Sequence, residues 1–86
     1  MTHPALAPHV RLRFDERRNH WVLLAPERVV VLDETAHAIL SRLDGSRGAA
    51  AIAEELAALY SAPSAEIAAD IGELLEDLSD KGLLRR

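Results

Sequence analysis

From His9 the chain alternates: Val10, Leu12 and Phe14 fall on one side and Arg11, Arg13 and Asp15 on the other, the period of a half-buried strand. The polar run Glu16-Arg17-Arg18-Asn19 then turns the chain. Two further β-rich runs follow, His20 to Leu24 and Arg28 to Leu32, joined by Ala25-Pro26-Glu27. Connections of hairpin length predict an antiparallel meander of three strands. A four-residue first loop places Phe14 opposite Trp21, Leu12 opposite Leu23 and Val10 opposite Ala25. The second turn leaves two registers open. With two residues in it, Val30 and Leu32 join this face while Val29 and Val31 join Val22 and Leu24 on the other; with three, the sets exchange. In both registers two apolar residues of the third strand point away from the core.

After Leu32 the period becomes helical. Asp33 is an N-cap candidate, Ala36, Ile39, Leu40 and Leu43 recur at three and four, and Asp44-Gly45 supplies a stop. A second helix is predicted from about Ala49 to Tyr60, with Ile52, Leu56, Leu59 and Tyr60 facing inward among alanines. Ser64 can cap a third, whose inward face is Ile67, Ile71, Leu74, Leu75 and Leu78, and Gly82 ends it with Leu83 placed for the accompanying apolar contact. Residues 1–8, with Pro4 and Pro8 and no useful period, read as an extended, flexible arm that can still dock; residues 9–86 read as one domain. Three strands bury no apolar face alone, so the helices must cover one side of the sheet. The fold class is therefore α+β, a three-stranded antiparallel sheet followed by three helices (βββααα).

Composition narrows the function classes. The chain has 86 residues, one each of Phe, Tyr and Trp, and no cysteine, which excludes disulfides, thiolate nucleophiles and Cys-ligated zinc. It lacks an apolar stretch near the roughly 20 residues needed to span a bilayer, and its start lacks a signal-peptide pattern. A cytoplasmic protein without membrane contact is the reading. The net charge of −4 hides an asymmetry: residues 1–32 carry five arginines against three acids, and residues 33–86 five basic residues against eleven acids. Such an acidic half opposes nucleic-acid binding.

The arrangements that signal catalysis are missing. His3, His9, His20 and His37 never stand at metal-ligand spacing, the four glycines form no phosphate loop, and the serines have no adjacent histidine. Neither a catalytic residue, a metal nor a cofactor is expected. What remains is an edge. In a meander the third strand lies at the rim of the sheet, and Arg28, Val29, Val30, Val31 and Leu32 offer one charge and no proline to protect it. Two readings compete: the third helix or the N-terminal arm covers this edge, or a guest peptide adds to it as a further strand. Beside it, Glu66, Asp70, Glu73, Asp77 and Asp80 form an acidic stripe on the third helix, either a solvated face, the polar wall of a docking groove or a contact to a basic partner enzyme. Gly72, inside that helix, is there either for close approach of a neighbour or by simple tolerance.

In this order and spacing the chain resembles the pyrroloquinoline quinone biosynthesis protein D family of peptide-recognition elements. The resemblance rests on Leu24-Ala25-Pro26-Glu27-Arg28 entering an apolar strand, Leu32-Asp33 before Ile39-Leu40, Asp44-Gly45, Leu56 to Tyr60, Asp70-Ile71 and the closing Gly82-Leu83. It departs mildly, with Asp33 where Asn is common and Gly48-Ala49-Ala50-Ala51 where a β-branched residue is usual. The resemblance implies a winged-helix-like fold, a non-enzymatic peptide chaperone that binds a ribosomal precursor peptide, and a radical S-adenosylmethionine (SAM) enzyme as the partner that receives it. Carried onto this chain, the peptide-binding residues are Arg28 to Leu32 together with Asp70, Glu73, Leu74 and Asp77. Two other classes stand beside this one: a winged-helix DNA binder, and a homo-oligomer, most simply a homodimer, joined through the same edge or the Val22, Leu24, Val29, Val31 patch.

Overall fold

Strands β1 (Arg11–Asp15), β2 (His20–Ala25) and β3 (Arg28–Leu32) are followed by helices α1 (Glu34–Leu40), α2 (Ala49–Tyr60) and α3 (Ser64–Asp80). This computed structural model describes residues 3–26 and 28–85; Met1 and Thr2 of the expected arm, Glu27 of the expected turn and Arg86 lie outside them. The sheet order is β1-β2-β3, antiparallel throughout.

The first turn closes because Asp15 accepts the backbone N–H groups of Arg17 (3.0 Å) and Arg18 (3.3 Å), and Asn19 adopts φ +57°, a conformation Asn tolerates well. Phe14 pairs with Trp21 and Leu12 with Leu23, as the loop length predicts. Val10 departs from the expected pairing. Its N–H bonds to the Ala7 carbonyl at 3.0 Å, so the chain is still turning there and β1 begins one residue later, although Val10 is buried. Ala25 pairs with Arg28, which leaves two turn positions and settles the second register. Leu12, Leu23, Val30 and Leu32 thus face the helices. Val22 and Leu24 share the outer face with Val29 and Val31, which are 52% and 51% exposed, while Val22 is covered by its cross-strand neighbours Arg13 and Val31.

The core is wholly apolar, with Leu23, Ile39, Ile52, Leu56, Ile71 and Leu78 its largest fully buried side chains. Asp33 caps α1 by accepting the Ala36 N–H at 2.7 Å. The helix stops at Leu40, short of the expected Asp44-Gly45. Ser41 Oγ and Arg42 Nη1 both donate to the Ala38 carbonyl, and the Arg42 backbone N–H turns to Ile39, a tighter i→i−3 bond. Leu43 is nevertheless buried.

In α2, Ile52, Ala53 and Leu56 are buried, but Leu59 and Tyr60, expected to face inward, are exposed. The buried row of α2 ends at Leu56, and the last turn, Ala58 to Tyr60, is exposed throughout. Nor does Ser64 cap α3: Pro63 holds that position, and its carbonyl accepts from Glu66 and Ile67. The C-terminal end follows expectation closely. Gly82 has φ +72°, its N–H bonds to Ser79, and Leu83 N–H bonds to Leu78 at 2.9 Å, which is the paired closure of a Schellman motif.

Part of the expected arm is docked. Pro4, Ala5 and Ala7 are buried; Ala7 N–H donates to Leu83 and Arg85 N–H to Ala5, both at 2.8 Å, and Gly45 N–H reaches Pro4. Ala5 bridges to Asp44 and Leu6 to Leu84. The segment is therefore stitched to the opposite terminus and to the α1–α2 loop, away from the sheet edge.

Candidate peptide-binding site

In an antiparallel pair, successive residues alternate between bonding to the partner strand and pointing their N–H and C=O away from it. A two-residue turn makes Ala25 and Arg28 the closing bonded pair, so Leu23 with Val30 and Trp21 with Leu32 are bonded too. That parity turns the backbone groups of Val29 and Val31 outward. Among the described residues no strand pairs with this outer side of β3, and the only isolated bridges join the arm to Asp44 and Leu84. Of the two readings of the edge, covering by the arm is excluded for its described residues by where they are bonded.

Past Leu32 the chain passes through Asp33 into α1, and there a groove of about 420 Å³ opens between α1 and α3. Asp33, Thr35, Ala36 and Ile39 form one wall and Asp70, Glu73, Leu74 and Asp77 the other. All four candidate residues of α3 are brought together here. The five candidates on β3 do not line the groove; they form the rim that leads to it, with Arg28, Val29 and Val31 exposed, Val30 half-buried and Leu32 buried in the core. Pattern reading missed the α1 wall. Asp33 was visible as a cap, but Ala36 and Ile39 carry the period of core residues and nothing in it marks a side chain that serves the core and a groove at once.

The groove is strongly anionic. Among the described residues its lining includes four carboxylates and no basic side chain. Asp33 is engaged with the Ala36 N–H and Asp77 with Lys81 at 2.7 Å, whereas Asp70 and Glu73 have no ion-pair partner among the described residues. Across α1 lies a second recess of about 360 Å³, lined by Phe14, Asn19, His20, Trp21, Leu32, Asp33, Glu34 and His37. There Phe14 meets Trp21 edge-on at 5.6 Å and Trp21 stacks on His37 at 4.1 Å. Phe14 and Trp21 belong to the inner face of the sheet but stay partly exposed, because α1 covers them only through that imidazole.

Arg42 and Arg47 both pair with Glu55, which ties the α1–α2 loop to α2. Gly72 sits in α3 with open space where a Cβ would be, so close approach of a neighbour does not account for it. Among the described residues no group of three or more His, Asp or Glu side chains could hold a metal ion, and no helix is long and apolar enough to cross a membrane.

The family model for coenzyme PQQ synthesis protein D (PqqD) matches residues 20–84. The chain is 52% identical over 81 residues to a PqqA binding protein of Rhodopseudomonas palustris (strain BisB5), covering 94% of this chain and 79% of the relative. It is 55% identical over 82 residues to that of Xanthomonas oryzae pv. oryzae (strain PXO99A), covering 95% and 89%. Among solved structures it is similar to the solution structure of the PqqD truncation of Methylobacterium extorquens PqqCD, a functional, stand-alone recognition element for ribosomally synthesized and post-translationally modified peptides. There the TM-score is 0.84 at 48% identity, over 96% of this chain and 88% of that one. The crystal structure of PqqD from Xanthomonas campestris aligns with a TM-score of 0.67 at 49% identity, over 95% and 91% of the two chains.

Proposed function

The chain belongs to the coenzyme PQQ synthesis protein D (PqqD) family, and from that premise we propose that it is a non-catalytic adaptor that binds the PqqA peptide. The peptide adds to β3 as a fourth strand, bonding to Val29 and Val31, and continues beside α3 through the groove of Asp70, Glu73, Leu74 and Asp77. The observation that carries this reading is the outward-facing backbone of β3, left unpaired while the described part of the arm is bonded elsewhere.

Main-chain pairing supplies affinity that tolerates sequence variation, and the groove supplies selectivity. A bound peptide held extended on the rim leaves residues beyond the groove free, which suits presentation to a radical SAM enzyme in the cytoplasm. The DNA-binding reading is disfavoured by charge: α3 carries Glu66, Asp70, Glu73, Glu76, Asp77 and Asp80 and no basic residue, a surface that repels phosphate.

Calorimetric titration with synthetic PqqA tests the proposal. Micromolar or tighter binding at one site is expected, and absence of heat at high peptide concentration overturns it. Enzyme presentation is tested separately, by whether the radical SAM enzyme forms a ternary complex with the adaptor and peptide on a sizing column.

A further inference from the structure

We infer that the groove selects a guest strand bearing a lysine or arginine at the position that passes between α1 and α3, with Asp70 and Glu73 as the residues that read it. The inference rests on the peptide-binding reading above and adds a chemical identity for the guest. Side chains of a strand added to β3 alternate between the two faces of the sheet. Those on the helix side run along Val30 and Leu32 and, beyond Leu32, meet the groove.

Its interior is divided by chemistry. Ala36 and Leu74, both half-buried, offer apolar surface over the buried Ile39, and Asp33, Asp70, Glu73 and Asp77 rise around it. A short aliphatic side chain would cover the first set and strip water from the carboxylates without pairing them, which is unfavourable. An acidic one would be repelled. A long basic side chain satisfies both, laying its methylene stem on Ala36 and Leu74 and carrying its charge out to the rim of acids.

Two of those acids have prior partners: Asp33 caps α1 and Asp77 pairs with Lys81. Asp70 and Glu73 have none among the described residues, and they stand one helical turn apart on the groove wall. Alone, such carboxylates would be a solvated face. The open strand rim and the cavity beside it turn them into walls that a guest must pass.

The test is a calorimetric titration of synthetic PqqA, and of PqqA with every lysine and arginine replaced by glutamine, into the wild type and the D70N/E73Q variant at 50 and 500 mM salt. Circular dichroism confirms that the variant, which only removes exposed like charges from α3, is folded. PqqA should bind D70N/E73Q roughly three- to tenfold more weakly than the wild type at low salt, the size of two exposed ion pairs. The glutamine peptide should lose as much against the wild type and lose little more against the variant, and high salt should erase the difference. Equal or tighter binding of PqqA to D70N/E73Q, or indifference to the peptide's basic residues, overturns the inference while leaving the adaptor reading intact. No binding of PqqA to the wild type overturns both.

Discussion

The imidazole of His37 lies flat on the indole of Trp21, with centroids 4.1 Å apart and planes 16° from parallel. This pair joins α1 to the start of β2 on the side of the helix away from the anionic groove, and so it helps hold one groove wall in place. Replacing His37 with Ala should cost about 0.5–1.5 kcal/mol, the range for an aromatic pair beyond its buried area. Urea unfolding measures the loss. Because Trp21 is the chain's one tryptophan, its emission should also move to longer wavelength as water reaches the exposed ring face.

The parity of β3 makes neighbouring valines behave oppositely. Val31→Pro deletes an N–H that faces the free edge, so the variant should fold with a near-native circular dichroism spectrum and lose PqqA affinity roughly tenfold or more. Val30→Pro deletes an N–H that faces Leu23 and should destabilise the domain by about 1–3 kcal/mol, the cost of leaving a buried acceptor without its partner. If both prolines unfold the chain alike, the assignment of outward and inward groups is wrong.

Two helix positions are open to stabilisation away from the groove. Gly72 has nothing within 4 Å of a built Cβ, so Gly72→Ala should add about 1 kcal/mol. Ser61 holds φ +52° where α2 ends, with the Ala62 N–H closing on Ala57, and Ser61→Gly should add about 0.5–1 kcal/mol by relieving that left-handed residue. Thermal unfolding reads both gains, and PqqA affinity should stay unchanged in each variant.

Acid should weaken the fold through two turn carboxylates. Asp15 is held below its ordinary 3.8, first by the hydrogen bond from the Arg18 guanidinium, and Asp44 likewise by the hydroxyl and backbone N–H of Ser46. A folded value below the unfolded one means that each ionised group stabilises the fold above about pH 4, and that this contribution is lost as pH falls through the folded value. Unfolding midpoints followed from pH 7 down to pH 2 should decline at the acid end. Asp15→Asn and Asp44→Asn should each lower the midpoint at pH 7 slightly and flatten that decline.

Element order, the register of the first hairpin and the position of the edge strand were legible because each follows from a period or a loop length, whereas the register of the second hairpin stayed open until the pairing of Ala25 with Arg28 fixed it. Alternation marked β1, the Asp33 cap and the Gly82 closure bounded helices, and the i, i+3, i+4 rows of α3 located both its core face and its acids. What escaped depended on contacts between segments. The docking of Ala5 and Ala7 is made by backbone hydrogen bonds, which leave no trace in side-chain pattern. Leu59 and Tyr60 continue the apolar row of α2 past Leu56, where its burial ends. For the groove, one wall was readable from the charge stripe, whereas the other is the back of core residues in α1.

The bond between Ala5 and Arg85 brings the beginning and the end of the described polypeptide side by side, so the backbone is nearly a ring. A short linker could join those ends, with a fresh opening cut at the Glu16–Asn19 turn, and every core contact would survive. A companion domain fused at either end would therefore be tethered from the same corner of the molecule.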